Sequence, residues 1–364
     1  MPCSARGEGC LDWTMVSDEG HRTERRSTIR DVARAAGVSI ATVSRVVNGR
    51  PDVAPATREA VLRAIREERF TTNRSARSLS GGRTFHVAVT LPVVESEYFS
   101  LILAGTAEAL YEHDMDIVLA PTLHLRDRAT VLLDRLAHGA TDGAILITSE
   151  RTNEELKTLG RNGYPFVVID PTEPLDEGVP SVSASNAFGG YAATEHLLSL
   201  GHRRIGAITG VPEWLSSKER LNGYTAALAS AGVLPDLALV VESDWAVEGG
   251  ERAAETLLDA PEPPTAIFAF NDHMAIGVLR AAQARGLRVP DDLSVVGFDD
   301  MEQAANVTPA LTTVRQPLAE MGRIAVSLLV RLLQKQRLEG TNIELRTRLV
   351  VRDSTAIPVA RALV

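Results

Sequence analysis

Apolar positions recur along this chain with two periods, and the period changes once. Between Thr28 and Phe70 the spacing is helical. Ile29, Val32, Ala33 and Ala36 stand at i, i+3, i+4 and i+7, one stripe of a first helix. Thr28 followed by Asp31 three residues later is a capping signature that starts this helix near Ile29. Gly37 supplies a tight turn and Ser39 an N-cap for a second helix over 40–47, which turns Val43, Val46 and Val47 inward. Residues 50–54 read as a loop, and Pro55 suits the first turn of a third helix running to about residue 69. Ala60, Val61, Ala64 and Ile65 then share one side, and Phe70 closes a small three-helix core.

From Phe85 onward, short β-branched runs alternate with helix-length amphipathic segments. Strands are predicted over 85–91, 116–120, 143–147, 166–170, 204–209, 266–270 and 293–298, with helices over 99–113, 188–200, 219–231 and 272–285 among the segments between. Strands separated by helices imply βαβ units, and this many imply two parallel sheets rather than one. Between the two regimes lies TTNRSARSLSGG, residues 71–82, a polar run with Leu79 as its one large apolar residue, which composition alone reads as a linker.

Length and charge sharpen this division. With 364 residues the chain is long enough for two or three domains. The net charge of −9 argues against a polyanion partner only if it is evenly spread. It is not: residues 26–83 hold twelve Arg and five acids, a local +7, so the remainder carries −16. A basic end on an acidic body is the footprint of a nucleic-acid-binding module joined to something else. Residues 1–26, polar with five acids and four Arg, read as a disordered tail in which Met15 offers a second start. That tail holds both cysteines, Cys3 and Cys10, so neither a disulfide framework nor a four-cysteine metal site is expected, and no metal or cofactor is assigned. No apolar run reaches membrane-spanning length and the tail lacks a signal-peptide pattern, so a cytoplasmic location is expected, with no membrane partner.

The run DVARAAGVSIATVSRVVNG, followed by NRSARSL, closely resembles the DNA-binding headpiece of the lactose/galactose repressor family, and the likeness extends from Thr28 to Pro358. It implies a small all-α helix-turn-helix headpiece (27–70), a hinge helix or linker (71–83) and an α/β periplasmic-binding-protein-like core of two Rossmann-like lobes (84–364). Lobe one would span 84–184 and 315–340, lobe two 185–314 and 341–364, with crossings near Ala184, Val314 and Gly340. Two subunits would read a pseudo-palindromic double-stranded operator. Ile40, Ala41, Thr42 and Arg45 would meet base edges, while Thr28, Ser39, Ser44, Asn48 and Asn73 would hold phosphates. Leu79 would wedge into the minor groove, as hinge leucines of the family do. Members usually carry proline before the asparagine, where Thr72 stands here. A homodimer is expected, because the chain ends within six residues of RLVVRDSTAIP and leaves no room for the heptad tail that makes some relatives tetramers.

In open α/β sheets ligands sit beyond the carboxyl ends of strands. Polar and aromatic residues fall there: Asp170, Asn271, Asp272, Asp299 and Asp300 at strand ends, with Arg220 and Trp245 in adjoining segments. A carboxylate after a strand is as readily a helix cap, and Asp272 and Asp300 are read so at even weight. The resemblance assigns Asp170, Arg220, Trp245, Asn271 and Asp299 to the effector, with Tyr98 on the opposing wall, in PVVESEYF where relatives more often show SNPFF. Carboxylates, an amide, a guanidinium and an indole face suit a mono- or disaccharide better than a nucleobase, which wants stacking on both faces. The expected function is an effector-controlled transcription regulator, a repressor first. A solute-binding protein for sugar transport and a cytoplasmic sugar-active enzyme are the alternatives. Neither G-x-S-x-G, H-E-x-x-H nor a P-loop is present to support catalysis.

Overall fold

The computed structural model describes residues 27–47, 50–70, 83–123, 125–338 and 340–358, with backbone alone for 126–130. The chain divides into two compact units, Met1–Ser80 and Gly81–Val364. The expected tail, and the hinge over 71–82 with Asn73 and Leu79, lie outside the described residues, as does Asn48.

In the first unit, α1 spans Ile29–Ala35, α2 Ile40–Val47 and α3 Pro55–Glu67. Thr28 starts α1: its N–H and Oγ1–H both donate to Asp31 Oδ2, at 3.0 and 2.7 Å. Gly37 adopts φ 65°, which a side chain would disfavour, and Ser39 Oγ then accepts from Thr42 N–H at 3.1 Å to cap α2. Val32, Val43 and Val61 are fully buried where the helices meet, with Ala33, Val46 and Ala64 beside them and Phe70 packed on the outside. The third helix stops at Glu67, before the expected residue 69, because Arg69 turns into the left-handed region at φ 46°.

The second unit contains two six-stranded sheets. In chain order β1 is His86–Leu91, β2 Asp116–Pro121, β3 Gly143–Ile147, β4 Phe166–Ile169, β5 Ser181–Ala184, β6 Ile205–Thr209, β7 Val240–Glu242, β8 Ala266–Ala269, β9 Ser294–Asp299, β10 Thr312–Arg315, β11 Asn342–Leu345 and β12 Arg348–Val350. Lobe one carries the order β11-β5-β4-β3-β1-β2 and lobe two β12-β10-β9-β8-β6-β7. Among the described residues every strand pairing is parallel except β10 with β12. Central strands such as β3, β4, β6 and β8 are buried along their whole length, as strands covered by helices on both faces must be.

The third crossing differs from expectation. Asn342–Leu345, placed in lobe two from sequence, is the edge strand of lobe one, parallel to β5, so the chain changes lobe after Leu345 and not at Gly340. The reason is alternation: Ile343 and Leu345 pack on the lobe-one core, while the exposed Asn342 and Glu344 alternate with them. A half-buried edge strand of this kind satisfies the open side of β5, with Ser185 N–H donating to Leu345 O at 2.8 Å.

Helix placement sets the height of the functional side chains. α7 (Asn186–Ser199) and α8 (Leu215–Ser230) cross at backbone contact, since a Cβ on Gly190 would lie 2.4 Å from Arg220 O and one on Gly223 2.1 Å from Ala187 O. Among the described residues the other α-helices of this unit are α4 (Glu97–Glu112), α5 (Arg126–Ala137), α6 (Asn153–Arg161), α9 (Val247–Leu258), α10 (Asp272–Ala284), α11 (Glu302–Asn306) and α12 (Leu318–Leu333).

Candidate functional site

On the first unit, the outer face of α2 presents Ser39, Ile40, Ala41 and Arg45 to solvent, with Thr42 and Ser44 half-buried. Ile40 is 46% exposed, a large apolar side chain that the small core does not use. Arg45 reaches Asp52 only at 3.7 Å, with both side chains largely exposed, so a stronger anionic or base-edge partner can displace that contact. Thr28 and Ser39 hold their positions by capping helices, and their hydroxyls are engaged by Asp31 and Thr42.

Between the lobes of the second unit lies a cavity of about 410 Å³, and Tyr98, Arg220, Trp245, Asn271 and Asp299 all line it. Asp170 is not on its wall. It sits behind Tyr98, whose hydroxyl donates to Asp170 Oδ2 at 2.7 Å. Five residues at or beside strand ends here, Thr148, Asp170, Trp245, Asp299 and Asp300, have φ between 47° and 114°. Such backbone is costly for residues with side chains and persists where surrounding contacts impose it, a feature of ligand sites. Trp245, at φ 67°, is the bulkiest of them. Its ring fits because Gly210 follows β6: a Cβ there would stand 2.0 Å from the indole ring. Asn271 holds the loop, capping α10 through Met274 N–H at 2.8 Å and donating Nδ2–H to Trp245 O at 2.9 Å.

Arg220 is 3% exposed and stretched across the floor. Its Nε–H donates to Asn186 Oδ1 at 2.9 Å, an Nη1–H donates to Phe270 O, and Asp299 Oδ1 lies 3.8 Å away. The guanidinium also stacks over Phe298 at 3.8 Å and faces Trp245 at 5.6 Å. Gln316 Nε2–H donates to Asp299 Oδ1 at 2.6 Å. Burial pushes the Asp299 carboxyl up to about 7, with Arg220 and Gln316 pulling the other way. Burial likewise raises Asp170, against the Tyr98 hydrogen bond and Arg220. Two buried carboxyl groups thus share the neighbourhood of one guanidinium. Trp214 and Trp245 pack at 5.9 Å, 32° between planes, to give a single aromatic wall. The lobes are tied beside the cleft by Glu97 accepting from Glu302 N–H at 2.8 Å, by Leu215 N–H donating to Thr172 O at 2.8 Å, and by Met301, whose side chain joins the lobe-one core.

Asp272 and Asp300, which sequence left between cap and site, do neither. Asp272 is fully buried and accepts from Met301 N–H at 2.8 Å and Thr313 Oγ1–H at 2.5 Å, bracing the loop after β9, while Asn271 is the cap. Asp300 pairs with Arg315 and with Arg352 at 2.5 Å, clamping the β10 crossing to the segment after β12. Sequence reasoning missed Trp214, Asn186 and Gln316. Each follows a strand end by a few residues, the signal that could have found them.

Comparison with known proteins bears on both units. Residues 28–73 match the model for bacterial regulatory proteins of the lacI family, and residues 194–355 the periplasmic binding protein-like domain. Catabolite control protein A of Priestia megaterium is 34% identical over 329 residues, covering 90% of this chain and 99% of that protein. The chain belongs to the lacI family. The regulator CelR of Thermobifida fusca, another relative, is 38% identical over 340 residues, 91% of this chain and 98% of that one. Among solved structures, a lac repressor dimer bound to operator and the anti-inducer ONPF superposes with TM-score 0.81 at 30% identity, covering 91% of this chain and all of that one. A CelR–cellobiose complex gives TM-score 0.70 at 37% identity, with coverage of 90% and 100%. The lacI-family protein is a DNA-binding transcription regulator with a two-lobed core. Among the described residues no helix is long and apolar enough to cross a membrane.

Proposed function

We propose that this regulator is a homodimeric repressor whose operator binding is controlled by a neutral mono- or disaccharide held between the lobes of its second unit. The observation that carries the reading is the convergence of Tyr98, Arg220, Trp245, Asn271 and Asp299 on one cavity of about 410 Å³, within the size range of small-molecule sites. Hydrogen-bonding groups of both polarities and one indole wall match a polyol with an apolar ring face. The cellobiose found in the CelR complex is a ligand of this kind.

On the DNA side, Ile40, Ala41, Thr42 and Arg45 read base edges, Ile40 and Ala41 by apolar contact suited to a thymine methyl. Thr28, Ser39, Ser44, Asn48 and Asn73 position the headpiece on phosphates, and Leu79 kinks the duplex. Exposed apolar residues on the edge strand β2 and the loop after it, Leu119, Leu123 and Leu125, give a second subunit something to cover. The sugar acts by preferring one arrangement of the lobes over the other, since only differential affinity moves an equilibrium.

The test has two arms. Thermal-shift screening of the full chain against cellobiose, glucose, galactose and ribose identifies a sugar that stabilises the core. Fluorescence anisotropy with a labelled pseudo-palindromic duplex then measures DNA affinity with and without it, with a change of about five- to a hundredfold expected from ordinary allosteric coupling. A stabilising sugar that leaves DNA affinity unchanged defeats the regulatory part.

A further inference from the structure

Along the outer side of α7, Phe188, Ala192, Glu195 and Ser199 stand at helical spacing and form one wall of an open groove of about 940 Å³, with residues 346–349 as the other wall. The groove shares no lining residue with the cleft that holds Trp245 and Asp299. Exposure alternates along the second wall. Thr347 turns inward, 2% exposed, its N–H donating to Ser185 Oγ at 2.9 Å and its Oγ1–H to Ser185 O at 3.1 Å. Arg346 and Arg348 on either side of it are both exposed, and side chains two residues apart in extended backbone leave one face roughly 7 Å apart.

Most arginines placed nearby are spent on acids: Arg220, Arg315 and Arg352 each stand beside an aspartate. Among the described residues, Arg346 and Arg348 have no carboxylate within ion-pair distance. Arg346 lies instead 4.8 Å over the ring of Phe188, which is 43% exposed. The ring fixes the plane of the guanidinium and leaves its edge donors free. Glu195 is the one acid of the lining, two turns of α7 beyond Phe188 and so about 10 Å along the helix axis. His196, bonded to Thr355 Oγ1 at 3.0 Å, is kept below its ordinary range by burial and adds no charge near pH 7.

We propose that this groove is a second small-molecule site, separate from the cleft, which takes a phosphate monoester: Arg346 and Arg348 grip the phosphate from two sides while the ester's body lies along Ala192 and Leu349. A tetrahedral oxyanion can present a pair of oxygens to each of two guanidinium forks, whereas a carboxylate fills only one. Glu195 limits the charge that fits, because a second anionic group further along the helix faces it. The position gives the ligand a lever. Thr347, between the two arginines, carries the chain from lobe one to lobe two and is bonded to Ser185 at an earlier crossing, so an anion bridging its neighbours stiffens that connection. None of this depends on what fills the cleft.

The experiment titrates the full chain calorimetrically with phenyl phosphate, with inorganic phosphate and with benzyl alcohol, a neutral body of similar size. Phenyl phosphate is expected to bind once per chain, inorganic phosphate more weakly and benzyl alcohol not at all. Arg346→Ala and Arg348→Gln should each weaken phenyl phosphate by about ten- to a hundredfold, the loss of charged hydrogen bonds, with headpiece and core melting unchanged. Arg348→Gln leaves the Phe188 contact in place and keeps the test readable if Arg346→Ala disturbs that ring. Hydrogen exchange supplies the location: phenyl phosphate should slow the amides of residues 346–349 and leave those around Trp245 as they were. Absence of phenyl phosphate binding, full binding by both variants, or protection at Trp245 in place of 346–349 each overturns the site. Inorganic phosphate binding as tightly as the ester overturns the monoester assignment.

Discussion

Helix α2 needs eight consecutive residues to present Ile40, Ala41 and Arg45, and the two neighbouring helices that support it lie within thirty residues on either side. The cleft takes Tyr98, Arg220, Trp245, Asn271 and Asp299 from five separate elements of two lobes. The first surface is exposed and loosely paired; the second is buried, densely hydrogen-bonded and carries backbone strain at its strand ends. A recognition face for a long polyanion must project, and its specificity comes from side chains free to reach base edges. A small-molecule site must enclose, and enclosure requires charge to be buried and held. Substitutions at the exposed base-reading side chains of the first region should accordingly act on binding alone, and those in the second on binding and stability together.

The largest effect is expected from Arg220→Met. It removes the guanidinium beside Asp299, which keeps only Gln316 as a donor, and leaves Phe270 O and Asn186 Oδ1 without theirs; breaking a buried pair from one side costs about 3–5 kcal/mol. Denaturant unfolding of the core should show that loss together with an abolished sugar response. An unchanged midpoint would mean that this buried arginine holds nothing. Next comes pH. The fold raises the Asp299 carboxyl from its ordinary 3.8 to about 7, so the protonated form is favoured in the folded state. Its contribution to stability is fully present below about pH 4 and disappears as pH rises through about 7, at a slope of at most about 1.4 kcal/mol per unit. Asp299→Asn should flatten that decline in thermal unfolding scans, and a variant as steep as the wild type would place the titration elsewhere.

Smaller effects are expected on the headpiece. Arg45→Ala should lower affinity for the preferred duplex by about 1–3 kcal/mol without shifting headpiece melting, because its ion pair with Asp52 is long and exposed. Anisotropy and circular dichroism on the same sample separate the two readouts; a destabilised headpiece would break the contrast drawn above. Ser39→Ala, which removes the α2 cap, should cost about 1 kcal/mol of headpiece stability.

Legibility in the sequence follows the same division. Thr28, Gly37 and Ser39 announce the helix boundaries of the headpiece because caps and turns involve residues three apart. In the core, the alternation of β-branched runs with helical segments predicted two parallel sheets, and strand ends pointed to Asp170, Asn271 and Asp299. Spacing could not say which carboxylate faces the cavity. Asp170 lies behind Tyr98, Asp272 braces a loop and Asp300 clamps two distant arginines, although all three looked alike as acids after strands. Asn342–Leu345 also misled, since a short edge strand is recognisable only by the neighbour it pairs with.

What the amino-acid order determined by itself was everything resting on short-range periodicity: the three-helix headpiece, the basic stretch that includes it, the change from helical to alternating pattern, and the family to which these belong. Only the tertiary structure decided which polar groups converge, which are spent on one another, and where the chain last changes lobe. The physical reason is that burial, desolvation and hydrogen-bond partnership are set by residues brought together from distant parts of the chain, and no local pattern encodes them.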